Sequence, residues 1–359
     1  MGLLQALCQD PVRTMSIATQ VGGAVFPKHQ PLTKGYRNVL LFKIGAIGDV
    51  LMTTPLIRAL RKHWPAATLT YATGTWSAPA LEGNLYLDKV IPFDETDFFN
   101  RRADRVRAFY HAIRESRYDL CFVLDKTQYA GVICWRMKIP TRVGFDRDGE
   151  GYANTWNVAY GARRHETDYY LDLGTAVGAV PDGRHMEIFL QPSDYKELPR
   201  GYIVVCPGGA DNPGQSMPGR RWPAERFGAV AAALNRPVVL LGGKKDMDAG
   251  RVVEEKVKAI NLIGHTTLQE SAAIMSKAAL VLCNDSGPMH LAAAAGGNVL
   301  AVFGPTDPLR KAPVGSHWCW HEMENNEAEV YGKYTKAQNQ NIKNVTVDEV
   351  VEMGRKIVE

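Results

Sequence analysis

A single carboxylate stands where an apolar run of the chain ends in two glycines. The run 39–44 is followed by Gly45-Ala-Ile-Gly48 and then by Asp49. Glycine lets the backbone turn tightly and approach a ligand, and an acid at the end of a buried strand can take a proton from a hydroxyl nucleophile. Asp49 could equally cap the helix that begins here. The motif by itself leaves both roles open.

The glycine spacing argues against a nicotinamide dinucleotide. A dinucleotide fingerprint reads G-x-G-x-x-G, with an acid near the end of the second strand. Here the spacing is G-x-x-G, and the second predicted strand ends Tyr71-Ala-Thr-Gly74 without a carboxylate. NAD binding is therefore disfavoured.

Two stretches of the second half are suited to holding an anion. The first is Cys206-Pro-Gly-Gly-Ala210, which follows an apolar run. A few residues later come Arg220 and Arg221, just before a Trp-Pro pair that starts a helix. Exposed backbone N–H groups and guanidinium groups both suit phosphate. A solvated basic loop explains this stretch equally well.

The segment 284–295, N-D-S-G-P-M-H-L-A-A-A-A, is more specific. Ser286 and Gly287 form a polar turn before an alanine-rich helix, so free N–H groups and the helix dipole would point at an anion. Such an anion needs no metal. Asp285 could instead cap the helix, and His290 is as consistent with a structural histidine as with a ligand contact.

The elements that position these motifs form an α/β fold. Strand-like runs alternate with helical ones, which predicts parallel sheets built from βαβ units. The predicted strands are 39–44, 68–72, 89–92 and 119–124 in the first half, then 201–206, 236–241, 260–263, 279–283 and 298–303. Helical stretches are predicted at 50–63 and 101–117. Two Rossmann-like halves facing across a cleft account for this order and suit a ligand that contacts both.

These runs divide the chain into a leader, two domains and a terminal helix. The leader is 1–37, the domains are 38–190 and 191–343, and the final helix is 344–359. Thr346, with Glu349 three residues on, predicts a capping box for that helix. We expect the helix to pack one domain onto the other.

Composition narrows the function. The 359 residues carry a net charge of only +4, too little for a dedicated nucleic-acid surface. Six cysteines without a C-x-x-C pair indicate reduced core residues rather than zinc ligands or disulfides. The sequence contains no run of 18 apolar residues, the length that would indicate a membrane-spanning helix. The leader has no basic opening typical of a secretory signal. It could be a disordered segment, an oligomer contact or a surface-lying segment.

Four motifs, taken together and in this order, resemble glycosyltransferase family 9, the heptosyltransferases of lipopolysaccharide core synthesis. They read F-K-I-G-A-I-G-D-V-L-M-T-T-P, P-G-G with R-R-W-P-A-E-R-F, N-D-S-G-P-M-H-L-A-A-A and F-G-P-T-D-P. The resemblance spans about Arg37 to Glu359. It implies the GT-B fold of two Rossmann-like domains. It also implies transfer of heptose from ADP-heptose with inversion, without a metal or other cofactor, to a hydroxyl of the lipopolysaccharide inner core.

The resemblance also implies roles for individual residues. Asp49 would be the general base that deprotonates the acceptor hydroxyl. The C-terminal domain would hold the donor through Arg220, Gly208, Gly209, Asp246, Asp285, Ser286, Gly287, His290, Gly304, Pro305 and Thr306. The N-terminal domain would hold the acceptor, and its candidates are Gly48, Arg58, Arg61 and Lys126. Arg220 stands where family members often carry lysine, and Asp246 where they offer a carboxylate to the ribose.

The implied partners are a nucleotide-sugar donor and an anionic glycolipid acceptor, in the cytoplasm or at the cytoplasmic face of the inner membrane. Two triplets, Asp146-Arg-Asp148 and Asp246-Met-Asp248, look like a metal motif. Neither follows a strand as that motif requires, so we expect no metal there. Alternatives are another acceptor (protein or small molecule), a silent nucleotide-sugar-binding module and a sugar-nucleotide epimerase.

Overall fold

The computed structural model describes residues 32, 35–99, 102–161, 163–191, 198–212, 215–323 and 334–359. They form two α/β domains, each built on a six-stranded sheet, which confirms the predicted fold class. Most of the predicted leader, 1–37, lies outside the described residues, so its three interpretations stay predictions.

The first sheet is parallel throughout and has the order β3-β2-β1-β4-β5-β6. Its strands are Asn38–Lys43 (β1), Thr68–Gly74 (β2), Lys89–Phe93 (β3), Leu120–Val123 (β4), Thr141–Asp146 (β5) and Trp156–Ala159 (β6). Strand β1 lies between β2 and β4 and is covered on both faces, which is why its central residues, 39–42, are all apolar. The prediction missed β5 and β6, whose apolar residues are interrupted by Arg142, Gly144 and Asn157.

Six helices accompany this sheet in the described residues. They are Ile47–Leu51 (α1), Thr54–His63 (α2), Glu95–Phe99 (α3), Ala103–Glu115 (α4), Gln128–Arg136 (α5) and Glu166–Ala176 (α6). The single stretch predicted over 50–63 is divided between α1 and α2. The hydroxyls of Thr53 and Thr54 donate to the carbonyls of Val50 and Leu51, so side chains serve the end of α1.

The second sheet repeats the topology of the first, with the order β11-β10-β7-β12-β13-β14. Its strands are Ile203–Cys206 (β7), Val238–Leu240 (β10), Ala259–Asn261 (β11), Leu280–Asn284 (β12), Val299–Val302 (β13) and His317–Cys319 (β14). A short antiparallel pair, Asp211–Asn212 (β8) and Gln215–Ser216 (β9), follows β7. The helices are Ala224–Leu234 (α7), Met247–Glu254 (α8), Leu268–Ser276 (α9), Gly287–Ala294 (α10), Pro308–Lys311 (α11), Lys336–Gln340 (α12) and Val347–Val358 (α13).

The two domains share their largest hydrophobic cluster. It joins residues of the first domain, such as Val50 and Leu51 of α1, to residues of the second, such as Met289 and Leu291 of α10. Helices α1 and α10 pack directly against each other. The α1–α10 contact therefore brings the ends of β1 and β12, and the motifs that follow them, face to face.

The final helix does not have the predicted role of packing one domain onto the other. Its capping box is confirmed, since the Thr346 hydroxyl accepts from the Glu349 amide and Glu349 accepts from the Thr346 amide. Its buried residues Val350 and Val351 belong to a cluster with Phe227, on the outer face of the second sheet. The helix covers that face because the apolar strands of a parallel sheet need cover on both sides.

Five cysteines are buried thiols, as the apolar runs around several of them predicted: Cys121, Cys134, Cys206, Cys283 and Cys319. Burial raises the pKa of the Cys206 and Cys283 thiols, so both stay protonated. Across the described part of the chain, no helix has the length and apolar character to cross a membrane.

Candidate active site

A cavity of about 870 Å³ lies between the domains, at the carboxyl ends of both sheets. From the first domain it is lined by Ala46, Ile47, Gly48, Asp49, Met52, Thr75, Trp76 and Pro79. The second domain contributes the loops after β7, β10 and β12, the start of α10 and the end of α11. Parallel α/β sheets commonly bind their ligands at this edge.

Asp49 lies in the first turn of α1 and faces this cleft. The N-cap of α1 is Ala46, and no side chain caps the helix, so the structure does not support a capping role for Asp49. Its carboxylate is half-buried, and its Oδ1 lies 3.4 Å from Nζ of Lys311, which belongs to the second domain. The acid is thus presented to whatever occupies the cleft.

The charges around Asp49 keep it ionised. Burial raises the pKa of the Asp49 carboxyl, but the positive charges of Lys311, Lys43 and Lys126 outweigh this and hold the pKa well below its usual range. Burial lowers the pKa of the nearby His290 to about 4, so its imidazole is neutral at physiological pH. Asp49 is therefore in the form that accepts a proton at neutral pH.

Gly48 has a role that the prediction of acceptor binding did not anticipate. A Cβ atom at this position would lie 2.4 Å from Cδ2 of His290 in α10. Glycine is therefore required where α1 meets α10 across the domain interface. Gly48 lines the cleft, but its absent side chain serves the contact between domains.

Helix α10 presents its N-terminus to the cavity. Ser286 is its N-cap residue and Gly287 its first residue, and both line the cleft. The amides of a helix start attract an anion, and that these amides do so here stays a prediction. The sequence left open whether Asp285 caps α10, and the structure shows that it does not, because the N-cap residue is Ser286. Its buried carboxylate pairs instead with Arg220, with Nε and Oδ2 3.4 Å apart.

Arg220 and Arg221 have different roles. Arg220 lines the cavity, and although burial lowers the pKa of its guanidinium, Asp285 raises it, so the charge is retained. Arg221 donates from Nε to the carbonyl of Gly209 at 2.8 Å and pairs with Asp211, so it holds the loop after β7. Arg220 is the residue placed to contact an anionic ligand.

Asp246 is positioned as a clamp between two loops. Its Oδ1 accepts from the Gly209 amide at 3.0 Å and its Oδ2 from the Gly243 amide at 2.8 Å. A Cβ atom at Gly208 would lie 2.0 Å from Oδ1 of Asp246, so glycine is needed there for the close approach. Asp246 thus shapes the cleft wall and also lines the cavity, and its ribose contact and the ligand contact of Gly208 stay predictions.

The turn 303–308 does not line the cleft as predicted. Gly304, Pro305 and Thr306 are buried behind it, and a Cβ atom at Gly304 would lie 2.3 Å from the carbonyl oxygen of Gly219. The Gly304 carbonyl accepts from Nε1 of Trp320 at 3.1 Å. Gly304 and its carbonyl thus face the protein interior, and the turn packs against the loop that carries Arg220. The helix that follows the turn, α11, reaches the cleft instead through Lys311.

The basic residues predicted to hold an acceptor are engaged within the first domain. Arg58 pairs with Asp182 and Glu187, and Arg61 donates to Asp88 and to nearby backbone carbonyls. These contacts hold loops together, so the structure does not support acceptor binding by Arg58 and Arg61. Lys126 pairs with Glu166, beside Asp49, and its contact with an acceptor stays a prediction.

Three functional candidates escaped the sequence analysis. Lys43 is a buried ammonium that pairs with Asp125 at 3.1 Å. Lys311 approaches Asp49 from the other domain. Trp76 lines the cleft with half of its surface exposed. Its position after a predicted strand end could have indicated Trp76, whereas the sequence around Lys43 and Lys311 does not show that either lysine meets a carboxylate in the cleft.

Comparisons with known proteins agree with this geometry. The model of glycosyltransferase family 9 (heptosyltransferase) matches residues 106–339. A lipopolysaccharide heptosyltransferase 2 from Salmonella typhimurium is 28% identical over 308 residues, covering 77% of this chain and 85% of that protein. A lipooligosaccharide heptosyltransferase 2 from Campylobacter jejuni is 32% identical over 277 residues, covering 74% and 81%. The solved structure of E. coli ADP-heptose LPS heptosyltransferase II has a TM-score of 0.70 at 22% identity, covering 89% of this chain and 98% of that one.

Proposed function

This chain belongs to glycosyltransferase family 9, the heptosyltransferases, and we propose that it transfers heptose from ADP-heptose to a hydroxyl of the lipopolysaccharide inner core. It is a glycosyltransferase of the GT-B type. The donor and acceptor are proposed from the names of its relatives and from the charges of the cleft. The observation that carries the proposal is an ionised Asp49 facing an anion-binding wall across the domain interface.

The second domain offers the donor a site for its diphosphate. Arg220 and the amides at Ser286 and Gly287 line one side of the cavity. A guanidinium and a helix N-terminus both attract phosphate oxygens. As the bond between the anomeric carbon and the phosphate breaks, these groups would offset the charge that grows on ADP.

Asp49 would act on the acceptor from the opposite wall. In the proposed step the acceptor oxygen bonds to the anomeric carbon, its proton passes to Asp49, and ADP leaves with the electron pair of the broken bond. The hydroxyl becomes more acidic as its new bond forms, so a carboxylate of low basicity can take the proton late in the step. A single displacement of this kind inverts the anomeric configuration.

We propose that the transfer needs no metal. The prediction that neither D-x-D triplet follows a strand is wrong for the first, because Asp146 is the last residue of β5. Three carboxylates of the triplets have partners within the protein: Asp246 accepts from two amides, Asp248 pairs with Arg251, and Asp146 accepts from the Gly151 amide. Within the described ranges, no group of three or more His, Cys, Asp or Glu side chains is arranged to hold a metal ion. Arg220 and the start of α10 would provide the positive charge instead.

The test is an assay of ADP release from ADP-heptose, with and without candidate core acceptors, followed by mass spectrometry and NMR of the product. Acceptor-dependent ADP with an inverted anomeric centre supports the proposal. Transfer to a protein or a small molecule instead would show that the proposed acceptor is wrong. Donor binding without turnover would indicate a nucleotide-sugar-binding module without catalytic activity. A changed sugar on an intact nucleotide would indicate an epimerase.

A further inference from the structure

Lys311 connects the two domains at the candidate base. It is the last residue of α11 in the second domain, yet its Nζ lies 3.4 Å from Oδ1 of Asp49 and 3.7 Å from Oε1 of Glu166, both in the first domain. Its side chain is largely buried and lines the cleft. One ammonium thus stands between two carboxylates, within hydrogen-bond distance of Asp49 and slightly farther from Glu166.

The position of Lys311 is held by a buried ion pair next to it in sequence. Glu166 is fully enclosed, and its Oε1 accepts from Nη2 of Arg310 and from the hydroxyl of Tyr160, each within 2.8 Å. His165 contacts the carbonyl of Ala312 at 3.0 Å, on the other side of Lys311. Helix α11 is therefore anchored to the first domain at the residues before and after Lys311.

We propose that Lys311 is a positioning residue for Asp49: it holds the carboxylate in place before the reaction and turns to Glu166 when Asp49 receives the acceptor's proton. The inference rests on the proposed function of Asp49 as the base. The proton passes from the acceptor hydroxyl to Asp49 alone, and Lys311 takes no part in the transfer. A buried ammonium beside a neutralised acid would lack its counter-ion. Glu166, which also pairs with Arg310 and Lys126, is the other carboxylate next to Lys311 and would serve in its place.

The charged and titratable groups that face Asp49 come from several elements. They are Lys43 on β1, Tyr71 on β2, Lys126 after β4, Tyr170 on α6, Arg220 before α7, His290 on α10 and Lys311 on α11. Of the three lysines, Lys43 has Asp125 as its own partner and Lys126 has Glu166. Lys311 is the cation placed to hydrogen-bond with Asp49 itself.

The pH profile of kcat/KM tests the role of Lys311. Activity that needs an ionised base falls as the pH drops through the pKa of that base, and a neighbouring cation lowers this pKa by about 1 to 3 units. The acid limb of Lys311→Met is therefore expected about 1 to 3 pH units above that of the wild type. We expect kcat to be about 10- to 100-fold lower at pH 7, and the KM for the donor to change little.

Two further lysine variants serve as controls. Lys311→Arg keeps the charge and is expected to restore the wild-type limb. Lys356→Met removes an exposed ion pair with Glu352 on α13 and is expected to leave both limb and rate unchanged. The inference would be overturned if the acid limb of the kcat/KM profile of Lys311→Met stayed at the wild-type pH. It would also be overturned if the variant changed only the KM for the donor, because Lys311 would then be a phosphate ligand.

A double-mutant cycle tests the exchange with Glu166. If Lys311 turns to Glu166 during the reaction, adding Lys311→Met to Glu166→Gln lowers kcat no further than the stronger single change. Fully additive losses would overturn the exchange. Folding of Glu166→Gln is checked by its melting temperature. If that variant unfolds, Glu166→Asp, which withdraws the carboxylate from Lys311, replaces it in the cycle, with the same lack of additivity expected. A wild type without acceptor-dependent ADP release would refute the proposed function instead.

Discussion

Replacing Gly48 with alanine is expected to separate the two halves of the active site. The new Cβ would lie 2.4 Å from Cδ2 of His290, whereas carbon atoms in contact stand at least about 3.4 Å apart. Relief of this overlap requires a displacement of about 1 Å between α1 and α10. Asp49 is the next residue, so its 3.4 Å approach to Lys311 would open beyond the range of an ion pair.

A displacement of about 1 Å at reacting groups lowers turnover about 10²-fold, and this is the loss in kcat expected for Gly48→Ala. The assay is ADP release at saturating donor and acceptor. Donor affinity, measured by calorimetry, should change less than about threefold, because the proposed diphosphate contacts belong to the second domain.

The clash also predicts a rescue. Removing the imidazole ring with His290→Ala makes room for the methyl group, so the double variant should turn over faster than Gly48→Ala alone. Wild-type turnover in Gly48→Ala, or losses that add in the double variant, would show that the contact between α1 and α10 does not control the placement of Asp49.

Three other predictions address the remaining parts of the mechanism. Asp49→Asn should lower turnover about 10²- to 10⁴-fold while donor binding survives; a near-wild-type rate would leave Asp49 a structural residue only. Arg220→Ala should weaken donor binding by about 1.5 to 3 kcal/mol, as expected for a charged hydrogen bond. Unchanged affinity by calorimetry would assign the diphosphate to the amides at Ser286 and Gly287. Activity should persist in excess EDTA, and its complete loss, restored by Mg²⁺ or Mn²⁺, would refute the metal-independent step.

The two-domain fold was readable in the sequence because its signals are local. A strand covered on both faces, such as β1, has an apolar centre, and a glycine-rich turn after it marks the edge where ligands bind. Asp49 and the segment at Ser286 and Gly287 follow directly from this rule, and the structure places them in the same cleft. Strands β5 and β6 escaped prediction because polar residues and glycine interrupt their pattern.

The partners of the charged side chains were decided by the tertiary structure. Asp246, read as a ribose contact, is held by two amides, one of them 37 residues away. Arg58 and Arg61 are engaged by carboxylates and carbonyls of their own domain. The spacing of a motif says which element bears a charge, but not which distant group that charge will meet.

The same limit applies to the centre of the site. The sequence alone predicted the acid after β1 and the start of the helix that faces it, because each is marked by the residues next to it in the chain. Lys311 is 262 residues from Asp49 and reaches it because α1 packs on α10 and Arg310 is buried against Glu166. An ion pair between domains depends on how the two sheets are brought together, and that arrangement exists only in the folded chain.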